Sequence, residues 1–66
     1  MASPVVRVYK IINASVPTAP FRTAAPTGSV ITVVVNGHRE RVVLLSYQVN
    51  DGRRLAYAAE LLKQYL

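Results

Sequence analysis

The chain has 66 residues, 52% of them hydrophobic, with eight Lys and Arg against three Asp and Glu, a formal net charge of +5 and no cysteine. This length allows one small domain, residues 1–66, and a domain of that size buries only about 60% of the surface its unfolded chain exposes. Disulfides and thiolate metal sites are excluded, and the one histidine, His38, cannot build a zinc site alone. Small scaffolds without such staples turn to self-association.

Residues 1–4 read as a tail. VVRVYKII, residues 5–12, is rich in β-branched side chains and stops at Asn13, which predicts a strand. Its two faces, Val6, Val8, Lys10, Ile12 and Val5, Arg7, Tyr9, Ile11, are both mostly apolar. Residues 14–28, ASVPTAPFRTAAPTG, carry three prolines and a glycine. Proline removes an amide donor and fixes φ, so this stretch reads as a long connection, either wrapped over the domain and held by Phe21 or mobile. PTAP, residues 17–20, matches the recruitment tetrapeptide of viral late domains. Four common loop residues with uninformative flanks are better explained by chance.

Residues 29–35 and 38–49 are predicted as the arms of a hairpin. Asn36-Gly37 supplies the two positive φ angles that a type I′ turn requires. The register then sets Val35 opposite His38, Val33 opposite Glu40 and Ile31 opposite Val42. One face holds Ile31, Val33, Val35, Val42 and Leu44. The other holds Val30, Thr32, Val34, Arg39, Arg41, Val43, Leu45, Tyr47 and Val49.

From Asp51 the period changes. Leu55, Ala58, Ala59, Leu62 and Leu66 form a stripe at helical spacing, with Leu61 and Tyr65 beside it and Arg53, Glu60 and Gln64 opposite. Asn50 or Asp51 can cap such a helix. A competing reading makes Asn50-Asp51-Gly52 a second hairpin turn with RRLAY as a short strand before the helix. The composition of AAELLKQYL favours a helix from about Arg53. The expected fold is therefore α+β: a three-stranded antiparallel sheet (strand, long loop, hairpin) with one C-terminal helix packed on one face. In outline this resembles the small basic chromatin proteins of archaea, an analogy of fold alone, and no motif assigns a family.

A net charge of +5 favours an anionic partner. On the sheet face the helix leaves open, Arg7, Arg39 and Arg41 stand among Tyr9 and Tyr47, so arginines are available for phosphates and rings for stacking on bases. Arg53 and Arg54 at a helix start oppose the macrodipole, which suggests another use, such as phosphate contact. These seven residues are the candidate nucleic-acid-binding set, with DNA or RNA as partner. The plainer alternative makes the tyrosines packing residues and the arginines solvated charges that guard the hairpin against edge pairing. It leads to a different function, a small homo-oligomeric structural or interaction protein, a dimer whose second sheet face is the subunit interface.

No catalytic constellation is visible. Glu40, Asp51 and Glu60 are scattered, there is no glycine-rich phosphate loop, and nothing points to a cofactor, a metal or a small-molecule substrate. The longest uncharged run, residues 23–38, is broken by Pro26, Gly28 and Gly37, too often to span a bilayer. Without an export signal, the expected location is the cytoplasm.

Overall fold

Residues 4–62 are described by a computed structural model, as five strands with no helix among them. They are β1 (Arg7–Ile11), β2 (Phe21–Thr23), β3 (Val30–Val35), β4 (His38–Asp51) and β5 (Arg54–Leu61). One mixed sheet runs in the order β2-β1-β5-β4-β3, with β1 parallel to β5 and every other pair antiparallel.

The expected α+β fold with its C-terminal helix is thus overturned, and with it the outline likeness to archaeal chromatin proteins. RLAYAAEL is a strand, and it lies in the middle of the sheet. The alternative turn at Asn50-Asp51-Gly52 forms instead, but the strand after it runs on to Leu61, where that reading too expected a helix. Gly52 has φ +67° at the first central position of a two-residue turn, and Asp51 pairs with Arg54 across it, the pattern of a type II′ hairpin. The alanines explain why helix propensity loses. Ala56, Ala58 and Ala59 are all buried, and they sit where β5 is flanked by β1 on one side and β4 on the other. A small side chain here lets Lys10 lie beside Ala58 and Val49 beside Ala56. Intrinsic propensity differences of a few tenths of a kcal/mol per residue cannot compete with two ladders of hydrogen bonds. Lys63, Gln64, Tyr65 and Leu66, the last part of the expected helix, lie outside the described residues.

The first hairpin forms as read. Asn36 (φ +51°) and Gly37 (φ +81°) make the type I′ turn, with Val35 against His38, Val33 against Glu40 and Ile31 against Val42. Beyond it, β4 makes four steps from Leu44 to Gln48 while β5 makes two from Ala59 to Tyr57. This irregularity bends the long strand.

The core shows how a sheet covers itself without a helix. Tyr9, Ile11, Val35, Val42, Leu44, Ala59 and Leu61 form one buried cluster, joined by Ala14, Phe21, Ala25, Ile31, Val33 and Tyr57. All five strands contribute, so the sheet curls around its concave face. Residues 24–29 connect the outermost strand on one side, β2, to the outermost on the other, β3. They cross that concave face, with Ala25 in the core and the Gly28 amide donating to the Leu44 carbonyl at 2.7 Å. The Pro-rich stretch is therefore a wrapping connection. Its short strand β2 is an edge strand, where proline neighbours are tolerated, and Phe21 anchors it against Tyr9.

Past the end of β1, Asn13 continues the parallel pairing with its side chain. Its Nδ2 donates to the Leu61 carbonyl at 3.2 Å, and its Oδ1 accepts from the Leu61 amide at 2.7 Å. The carboxamide stands in for a peptide unit where the backbone has already turned away.

Two substitutions test this architecture by urea denaturation. Ala58→Leu keeps a strong helix former, so a helix would tolerate it. In a buried strand position it overpacks both neighbours and is expected to cost about 1–3 kcal/mol. Gly37→Val places a β-branched residue at φ +81°, in open space, so its expected loss of about 1–3 kcal/mol is backbone strain alone. Gly37→Asn, which tolerates positive φ, should keep most of that stability.

Candidate nucleic-acid interface

Alternation along each strand divides the side chains into a concave core face and a convex outer face. On β1 the division runs against the expectation from sequence. Arg7, Tyr9 and Ile11 take the core face, and Val8 and Lys10 take the outer one. Tyr9 is completely buried. Its ring stacks on Phe21 at 5.9 Å between centroids and tilts against Tyr57 at 5.6 Å. The three rings form a row across β2, β1 and β5, where Tyr9 is the register partner of both the others. Tyr9 is a core residue and offers no face to a base. Arg7 caps the end of this row, with its guanidinium carbon 5.5 Å from the Tyr57 ring centroid and Nη1 donating to Thr27 Oγ1 at 3.2 Å. Exposed though it is, it stands on the opposite side of the sheet from Arg39 and Arg41.

The outer face gathers the other cations. Arg39 and Arg41 alternate onto it from β4, beside Val34 and Thr32 of β3. The Leu62 amide donates to the Arg41 carbonyl at 3.0 Å, which continues the ladder and seats Leu62 next to Arg41. Arg39, Arg41 and Leu62 line a depression of about 290 Å³, with Glu40 also at its wall. Toward the other end of the face, Arg22 of β2 and Arg54 of β5 flank Val8. With Pro20 and Leu55 they enclose a cleft of about 460 Å³. All four of these arginines are exposed.

Between the two arginine pairs lies Lys10, which is already engaged. Its Nζ is 3.4 Å from Asp51 Oδ1 and also donates to the Thr18 carbonyl. That second contact ties down the PTAP segment, in which Thr18 is partly buried. The outer face thus carries the cations Lys10, Arg22, Arg39, Arg41 and Arg54 against the acids Asp51 and Glu60, and Asp51 is held by Lys10. Arg53 stands exposed in the turn next to Arg54. Tyr47 falls in the irregular segment between Leu44 and Gln48 and is 51% exposed.

Of the seven residues picked from sequence, the fold brings Arg39, Arg41 and Arg54 onto one face, leaves Arg53 and Tyr47 at its margin, and removes Arg7 and Tyr9. Sequence reading missed Arg22, whose place on the face depends on β2 pairing with β1. The available signal was the triplet FRT, aromatic and β-branched residues inside a proline-rich stretch. Guanidinium groups on a partly apolar floor suit phosphate oxygens, which they bind through paired N–H donors, with room for sugar or base beside them.

No family model matches the chain, and neither a curated protein nor a solved structure matches it. Among the described residues no group of three or more His, Asp or Glu side chains is placed to hold a metal ion, and no helix is long and apolar enough to cross a membrane.

The two tyrosines should behave differently in equilibrium unfolding. Tyr9→Ala empties a fully buried site and is expected to cost about 3–5 kcal/mol. Tyr9→Phe should stay within about 1 kcal/mol of the parent, since the hydroxyl meets no hydrogen-bond partner among the described residues. Tyr47→Ala, at a half-exposed position, should cost less than about 1 kcal/mol.

Proposed function

We propose that this chain is a small, non-enzymatic, cytoplasmic nucleic-acid-binding protein whose outer sheet face contacts phosphates through Arg22, Arg54, Arg39 and Arg41. The observation that carries this reading is the arrangement of two exposed arginine pairs on one convex, acid-poor sheet face. A net charge of +5 supports it, since a positive field draws a polyanion from a distance before any contact is made. Arg53 extends the positive edge at the β4–β5 turn, and Tyr47 is the exposed ring available for stacking. Binding on this face is led by phosphate contacts, with base stacking secondary, because Tyr9 is committed to the core.

Affinity for generic DNA and RNA oligonucleotides, measured by fluorescence anisotropy across a salt series, tests the proposal. Binding should fall steeply with salt, as counterion release requires. Arg39→Ala with Arg41→Ala should lower the log–log slope by about two, and Arg22→Ala with Arg54→Ala by a similar amount. Arg7→Ala, on the other face, should leave the slope unchanged. Absence of binding at low salt, or slopes indifferent to both double substitutions, would overturn it.

A further inference from the structure

The two outermost strands of the sheet are unlike each other. β2 has three residues, follows Pro20 and carries Arg22 at its centre, all features that discourage a further strand from adding. β3 is VITVVV, six residues with no charge, no proline and no bulge in its pairing with β4. Val34 is 72% exposed and Val30 44% exposed. A long, unbulged, apolar edge of this kind is a template for another strand.

Hydrogen-bond phase shows which groups that edge presents. In a two-residue hairpin the closing pair, here Val35 and His38, exchanges both of its bonds, and pairing then alternates. Val33 with Glu40 and Ile31 with Val42 keep the same phase. The Leu44 amide continues it by donating to the Ser29 carbonyl at 3.0 Å. The N–H and C=O groups of Val30, Thr32 and Val34 therefore point away from β4, toward the open edge.

We infer that β3 pairs antiparallel with β3 of a second copy of this chain, across a two-fold axis through Thr32, to make one continuous sheet. In this register Val30 faces Val34 of the partner copy, and Thr32 faces its own counterpart. All three outward residues of each copy are then hydrogen-bonded, about six bonds in total. A shift of one residue would set outward-pointing groups against inward-pointing ones, and a shift of two would pair only two of the three outward residues of each copy, so this register makes the most hydrogen bonds. On the outer face it creates β-branched cross-strand pairs and a Thr–Thr pair, both favourable.

Charge favours this occupant. β3 is uncharged, so pairing with its own copy buries no charge, and it offers no counterion to a charged strand. The nearest cations, Arg39 and Arg41, sit one strand back. Across the axis they are three strand spacings, about 14 Å, from those of the partner copy, beyond the screening length of about 8 Å at physiological salt. Two six-residue strands form a small contact, which belongs with weak, reversible interfaces. The dimer would carry a valine and threonine stripe flanked by the Arg39 and Arg41 of both copies. The inference stands on the edge alone and does not depend on nucleic-acid binding.

Single cysteine variants of the full chain, which has no native cysteine, test it without nucleic acid present. On the two-fold axis the Thr32 Cα atoms would be about 5.5 Å apart, within disulfide range. Thr32→Cys should therefore form a covalent dimer under mild oxidation or with a short thiol-to-thiol crosslinker. Val34→Cys, whose counterpart is offset along the strand, should remain largely uncrosslinked. By sedimentation between about 10 µM and 1 mM the parent should show reversible dimerisation, and Val34→Lys should weaken it by roughly tenfold or more with the fold intact. Crosslinking of Thr32→Cys no faster than Val34→Cys, or a parent that stays monomeric at the highest concentration, would overturn it.

Discussion

Every other feature of this sheet depends on β5 being paired on both sides, parallel to β1 and antiparallel to β4. The parallel partner lies far away in sequence, so its loop-closure entropy must be offset by contacts that exist only once the sheet is assembled. Ala56, Ala58 and Ala59 make that assembly possible, because a strand with close neighbours on both edges and on both faces has little room for side chains. Tyr57, between them, supplies the bulk on the core side, where Tyr9 and Phe21 complete the row of rings. The Asn13 carboxamide extends the parallel ladder by one further step at Leu61. Removing β5 would leave two separate pieces, β1 with β2 and β3 with β4.

Covering the concave face is the second requirement, and the chain meets it by curling the sheet and drawing residues 24–29 across it. This solution has a consequence for function. On the convex side the buried residues of β5 are the small Ala56 and Ala58, which leave little bulk to cover, so the arginines around them remain in solvent. Tyr9, Phe21 and Tyr57 are drawn inward, since the concave side holds the core. A division of labour results: these three rings hold the fold and guanidinium groups face outward. Arg7 is the exception. It reaches over the Tyr57 ring at the end of the aromatic row, where its charge stays wet and its stem covers apolar surface.

Self-pairing through β3 and phosphate contact through the outer face are compatible, because one uses backbone groups in the plane of the sheet and the other uses side chains above it. Together they would present the Arg39 and Arg41 of two copies on a single surface. A polyanion meeting that surface would contact more cations than one copy offers, with no new side chain required.

What was legible from sequence was local. Asn36-Gly37 specified a turn, the turn specified a register, and the register placed Arg39 and Arg41 on one face and Val42 and Leu44 on the other, because side-chain period and turn geometry act over a few residues. The prolines of 14–28 likewise marked a long connection, though not whether it wraps the domain. The C-terminal stretch shows where this stops. AAEL has helical composition and spacing, and Gly52 marks a turn before it, so local chemistry pointed both ways. Long-range pairing with Lys10, Ile11 and Leu44 decided for a strand. The same holds for Tyr9 and Arg22. Both faces of VVRVYKII are apolar, so only the partners Phe21 and Tyr57 determine that Tyr9 turns inward, and only β2 docking on β1 brings Arg22 beside Arg54. By itself the sequence determined the hairpin, a long connection over 14–28 and the positive charge. The tertiary structure alone decided the central strand and the membership of the outer face, because both rest on contacts between residues that nothing in the local chain brings together.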